Sequence, residues 1–176
     1  GKLHKRYNIA AVNLPGHGPS EGDGEQTIQN YCDWMRKILA ALGLTKPVLV
    51  GHSLGAAIAL DFALRYPSDI AGIVCIGAGL KMPVNAFFLE YLQTHPPDIP
   101  AEIIDLICKF SLAKENRERL SGPLRKSLAL SRVDVLYGDL LACNTLDLSH
   151  DAARISVPVF IVCGAEDKMT PPDLSR

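Results

Sequence analysis

The stretch KPVLVGHSLGAAIALDF, residues 46–62, limits what this chain can fold into more than any other. A short apolar run ends at Gly51, and small apolar residues at helical spacing begin after Ser53. Strand period gives way to helix period within a few residues, so a hydroxyl sits at a sharp strand-to-helix turn. The same alternation recurs along the chain. Residues 7–14 (YNIAAVNL) read as a first strand, ended by Pro15 and Gly16. Ile28, Cys32, Met35, Leu39 and Leu42 then repeat at helical spacing, with Gly43 where a left-handed cap is wanted. Residues 48–50 read as a second strand, 54–66 as a helix stopped by Pro67, 70–76 as a third strand and 157–163 as a fourth. Their apolar runs are continuous, which predicts a parallel sheet with helices on both faces and right-handed crossovers. The fold class is α/β.

Between about Lys81 and Asp151 helical patterns take over: VNAFFLEYLQT, PAEIIDLICKF, RKSLALS and VDVLYGDLLAC. A helical block between two strands of one sheet reads as a cap. The organisation expected is core in residues 1–80, helical cap in 81–150 and core again in 151–176. Residues 109–132 hold seven Lys/Arg against two Glu, read as a solvated helix face. Overall the 176 residues carry a formal net charge of −1, without the basic excess of a nucleic-acid binder. No apolar run approaches the roughly 20 residues of a membrane span, and the N-terminus lacks a signal-like apolar stretch. Five cysteines (Cys32, Cys75, Cys108, Cys143, Cys163), odd in number and without a CxxC pair, suit small buried side chains in a reducing compartment. The cytoplasm is therefore expected.

A serine hydroxyl attacks a carbonyl only when a base takes its proton and donors hold the developing oxyanion. The turn at Ser53 lifts its Oγ clear of the sheet and aims free N–H groups of the helix start, Leu54 first, at the same spot. Gly51 and Gly55 are expected to give the turn room. The plainer reading is a serine that caps a helix. Asp167 follows an apolar strand through Gly164, which places it at the C-terminal edge of the sheet. Glu166 is an equally placed rival, and an aspartate bonding its own turn is the structural reading.

GHSLG, NLPGHGPSEG (with Asn13 where an Asp is usual) and ISVPVFIVCGAEDKMTPP together resemble the α/β-hydrolase family, of the kind with a helical cap. The resemblance implies a mostly parallel sheet flanked by helices. It also implies Ser53 as nucleophile, the Leu54 N–H as oxyanion donor and Asp167, rather than Glu166, as the acid orienting a histidine. The family order is Ser, Asp, His, and no histidine follows Asp167. His4 and His150 precede strands, roughly 20 Å from the turn at about 3.3 Å per strand residue. The His52 side chain diverges from that of its neighbour Ser53, His17 lies in a structural loop, and His95 lies in the cap. The expectation is a histidine beyond Arg176 and a second oxyanion donor upstream of Gly1, the chain being the central part of a longer protein. His52, Phe87 and Phe88 are candidates for the substrate cleft, with Leu89, Tyr91 and Leu92 in the same roof. The activity implied is hydrolysis of a carboxylic ester or similar small acyl compound, with no metal or cofactor and no nucleic-acid partner. Lactone, amide or carbon–carbon hydrolysis, acyl transfer, perhydrolysis and a non-catalytic receptor remain as alternatives.

Overall fold

The computed structural model describes residues 3–94 and 98–175. Three parallel strands lie side by side in chain order: β1 (Val48–His52), β2 (Gly72–Ile76) and β3 (Val159–Val162). Val48 pairs with Gly72 and His52 with Ile76; Ile73 pairs with Val159 and Ile76 with Val162. Because all three run the same way, His52, Ile76 and Val162 end at one edge of the sheet.

Helix α1 (Ile28–Ala41) starts where the Thr27 hydroxyl accepts the Asn30 N–H, and it stops as Gly43 turns the chain left-handed at φ 62°. Helix α2 (Leu54–Arg65) leaves the sheet edge directly after Ser53 and ends before Pro67, which disfavours helical backbone at Tyr66. Ala56, Ala57, Ala59 and Ala63 are all buried, and this small-residue face lets α2 lie close on β1 and β2. Helix α1 packs on the other side of α2 and buries Tyr31 and Cys32 completely. Phe62 and Ile73 are equally enclosed, each adding about 1.5–3 kcal/mol by leaving water.

Among the described residues four α-helices separate β2 from β3: α3 (Ala86–Thr94), α4 (Ala101–Ser111), α5 (Arg117–Ala129) and α6 (Val133–Asn144). Phe88, Leu92, Ile103, Ile104, Cys108 and Val133 form a second core among them. Helix α5 begins eight residues before the RKSLALS stretch and carries Pro123 within it. None of its residues is buried, so no apolar stripe announced its start.

The structure corrects one sequence expectation. Residues 8–14 form no ladder, and Tyr7 and Ile9 are 65% and 60% exposed. A strand exists by pairing its backbone, and among the described residues β1 pairs with β2 alone. Among the described residues the two faces of the sheet are covered unequally. Leu49, Gly51, Ile73 and Cys75 face α2 and are wholly or partly buried, whereas Val48, Val50 and Phe160 on the opposite face are largely exposed. Uninterrupted apolar runs state what the strands can bury, not what lies against them.

Candidate active site

Ser53 adopts φ 52°, ψ −118°, a backbone state costly to a side-chain-bearing residue. Neighbours hold it there. Its N–H donates to the Ile76 carbonyl at 2.9 Å, and its own carbonyl accepts from Ala56 N and Ala57 N at 2.9 and 3.1 Å. The N–H groups of Leu54 and Gly55, at the first two positions of α2, have no carbonyl within the helix to accept them. They are the donors available to an oxyanion at this turn.

The two glycines of GHSLG play different parts. A Cβ at Gly51 would lie 2.0 Å from the Gly55 carbonyl oxygen, so β1 and the first turn of α2 meet there without space for a methyl group. A Cβ at Gly55 would meet nothing within 4 Å. The expectation that Gly55 relieves crowding through its own lack of bulk is therefore corrected; Gly51 alone does so, by accommodating the Gly55 backbone.

Ser53 is partly exposed and opens onto a cavity of about 210 Å³. Met82, Val84, Phe88, Phe110, Leu140 and Met169 supply apolar walls, and Asn85, Lys168 and Thr170 the polar ones. Of the residues expected at a cleft, Phe88 is present. Phe87 is half exposed, packs on the rings of Phe88 and Tyr91, and does not line the cavity. It sits one helical step away from its inward neighbour. His52 is also outside the lining and exposed, on the uncovered face of the sheet. Cys143 does line it; burial, then the nearby Asp139 charge, pushes its thiol up to about 12, so it stays protonated and weakly nucleophilic at neutral pH.

Gly77, just past β2, gathers the other residues of this edge. Its φ is +57°, and a Cβ there would meet Thr170 Oγ1 at 3.2 Å, Asp167 Oδ2 at 3.4 Å and His52 Cδ2 at 3.6 Å. The Asp167 loop thus folds over the end of β2, one residue from the Ile76 carbonyl that anchors Ser53. Asp167 Oδ1 accepts from Met169 N at 2.9 Å and Thr170 N at 2.8 Å, while Oδ2 accepts the Thr170 hydroxyl at 2.9 Å. Three bonds orient the carboxylate and leave one lone pair of Oδ2 for a further donor. Glu166 beside it is exposed. Thr170 was missed in the sequence, where a threonine before two prolines reads only as loop.

Among the described residues no hydrogen bond joins Ser53 Oγ to a histidine. His17 is occupied: Nδ1 lies 3.0 Å from the Pro15 carbonyl and Nε2 2.8 Å from Asp139 Oδ2 on α6. The bond to Asp139 raises its pKa above the ordinary value. Tyr31 donates to Asp139 Oδ1 at 2.6 Å and accepts the Glu25 N–H at 2.9 Å. His4 and His150 are exposed, and His95 lies outside the described residues. A wider groove of about 540 Å³ borders Asp61, Arg65, Tyr66 and Arg154. Arg65 closes α2, twelve residues and about 18 Å from its start at Ser53, so the smaller cavity is the candidate site.

Residues 2–176 match the family described as alpha/beta hydrolase fold. An uncharacterized protein of Mycobacterium tuberculosis is 33% identical over 89 residues, 49% of this chain and 26% of that protein. A thermophilic esterase of known structure is 32% identical, with TM-score 0.73, over 92% of this chain and 62% of its own. The enol-lactonase from Burkholderia xenovorans is 18% identical with TM-score 0.83, over 92% of this chain and 64% of that one. The chain therefore spans about a quarter of the mycobacterial relative and less than two thirds of these two structures. With the parallel sheet, the strained serine turn and a family match along nearly its whole length, this chain belongs to the alpha/beta hydrolase fold family.

Proposed function

We propose that the protein containing this chain is a serine hydrolase that cleaves small carboxylic esters or related acyl compounds through an acyl-enzyme on Ser53. The observation carrying this reading is the strained Ser53, opening onto an apolar cavity beside two free helix N–H groups. Ser53 Oγ attacks the carbonyl carbon and loses its proton to a base; the Leu54 N–H holds the oxyanion, a contact worth about 2.7–4 kcal/mol in such sites. The leaving alcohol takes that proton, and water then releases the acid by the reverse sequence. The base proposed is a histidine beyond residue 176, with Asp167 Oδ2 holding its Nδ1–H and hence its tautomer. The helices α3–α6 act as a cap, Phe88 forming part of the cleft roof. Neither a metal nor a cofactor is needed for this chemistry.

A fluorophosphonate probe tests the assignment on the full-length protein. The adduct is expected on the peptide containing Ser53 and is lost in Ser53→Ala. That variant should fold normally, with kcat lower by several orders of magnitude. Absence of labelling would favour the second reading, a ligand receptor on this scaffold.

A further inference from the structure

We infer that the Ser53 cavity is built for a substrate carrying a carboxylate at the end remote from its scissile acyl group, with Lys168 and Asn85 determining that specificity. This deepens the proposed hydrolase reading and rests on it. Of the twelve residues lining the cavity, Lys168 is the one charged side chain; none is acidic. Its ammonium has no ion-pair partner among the described residues. The Asp167 carboxylate on the preceding residue is engaged by three hydrogen bonds of its own loop and is not part of the lining.

The other polar groups divide by chemistry. Asn85 Oδ1 accepts the Phe87 N–H at 3.0 Å, capping the start of α3; that donor identifies the oxygen and leaves the Asn85 amide nitrogen as a donor. The Thr170 hydroxyl hydrogen is given to Asp167, so this residue adds no donor hydrogen to the cavity. Lys168 and the Asn85 amide nitrogen therefore offer N–H donors, one of them charged, a set that suits a carboxylate. Lys168 and Asn85 are both exposed, so such an anion would meet them at the mouth of the cavity, with largely apolar walls beneath. A short half-ester of a dicarboxylic acid carries both an acyl group for Ser53 and a carboxylate for Lys168.

The test compares two esters of nearly equal shape on the full-length protein: monoethyl succinate, which is anionic, and ethyl levulinate, its neutral counterpart. Wild type should prefer the anion by about tenfold or more in kcat/KM, and the preference should shrink as ionic strength rises. Lys168→Gln should bring the ratio close to one, mainly by raising KM for monoethyl succinate; Lys168→Arg should retain the preference. A wild-type ratio near one, with Ser53-dependent turnover of the neutral ester, overturns the specificity and leaves the hydrolase standing. So does turnover of neither ester by a protein whose Ser53 reacts with fluorophosphonate. If Ser53 neither labels nor turns over either ester, both readings fall together. Should Lys168→Gln misfold, the salt dependence of the wild-type ratio decides, since a preference unmoved by salt is not set by charge.

Discussion

A methyl group at residue 51 would stand 2.0 Å from a backbone carbonyl, whereas at residue 55 it would stand in open space. The two alanine substitutions are therefore expected to behave oppositely. Gly51→Ala must push β1 away from the first turn of α2, at a cost of about 3 kcal/mol or more. Gly55→Ala replaces a poor helix former inside α2 and should be neutral or stabilising by up to about 1 kcal/mol. Urea denaturation of both variants checks this, and equal losses would show that the crowding at Gly51 is relieved by movement elsewhere. Strain at Ser53 gives a related expectation. Its φ of 52° favours glycine, so Ser53→Gly should be more stable than Ser53→Ala by about 1 kcal/mol. Both should be inactive. A nucleophile kept in a costly backbone state after its hydroxyl is removed leaves measurable strain, and a helix-capping serine would show none.

Between elements, α6 is held to the loop over residues 15–25 by a set of contacts clustered on Asp139 and Arg132. Asp139 takes His17 and Tyr31, Arg132 donates to the Gly22 carbonyl at 2.8 Å and pairs with Asp23, and Gly138 gives α6 room against Glu25. Since both the Pro15 carbonyl and the Asp139 carboxylate accept, His17 is best satisfied as an imidazolium, which agrees with its raised pKa. Linkage then has a definite sign. The contribution of His17 to stability is fully present below its unfolded value of about 6.5 and is lost as pH rises through the higher folded value. A proton NMR titration should show one imidazole above 6.5, and Asp139→Asn should lower it; no change in that variant would remove Asp139 as the cause. Tyr31→Phe leaves the Glu25 N–H without its acceptor and takes a donor from Asp139, costing about 1–3 kcal/mol. None of this could be read from the sequence. His17 and Asp139 are 122 residues apart, and in VDVLYGDLLAC the aspartate is indistinguishable from an ordinary polar helix residue. What could be read there was local: the Gly43 stop after α1 and the proline after α2 each act within one turn of the chain.

For the whole molecule the same division between local and non-local information holds, and it leads to a prediction about the bare sheet face. The period change at Gly51–Leu54 located the strand-to-helix turn at Ser53, and the strand before Gly164 brought Asp167 to the same edge, because both follow from apolar periodicity. Sheet partners do not follow from it, which is why residues 7–14 looked like a strand and lie outside the ladder. The register places Val50, Val74 and Phe160 in one row across the three strands, on the face away from α2, with Val50 67% and Phe160 65% exposed. Val48 and Val162 extend that row above and below. A contiguous apolar patch of this kind drives association, and the edge of β1 that is unpaired among the described residues offers it a backbone template. The 176-residue polypeptide on its own should therefore self-associate in a concentration-dependent way during sedimentation. Val50→Thr with Phe160→Thr, which removes apolar surface while retaining strand-compatible side chains, should shift it toward monomer without altering the far-ultraviolet circular dichroism spectrum. A wild-type polypeptide that stays monomeric at high concentration would mean that this face is covered by a rearrangement of the chain itself, and the strand register would then have to be different.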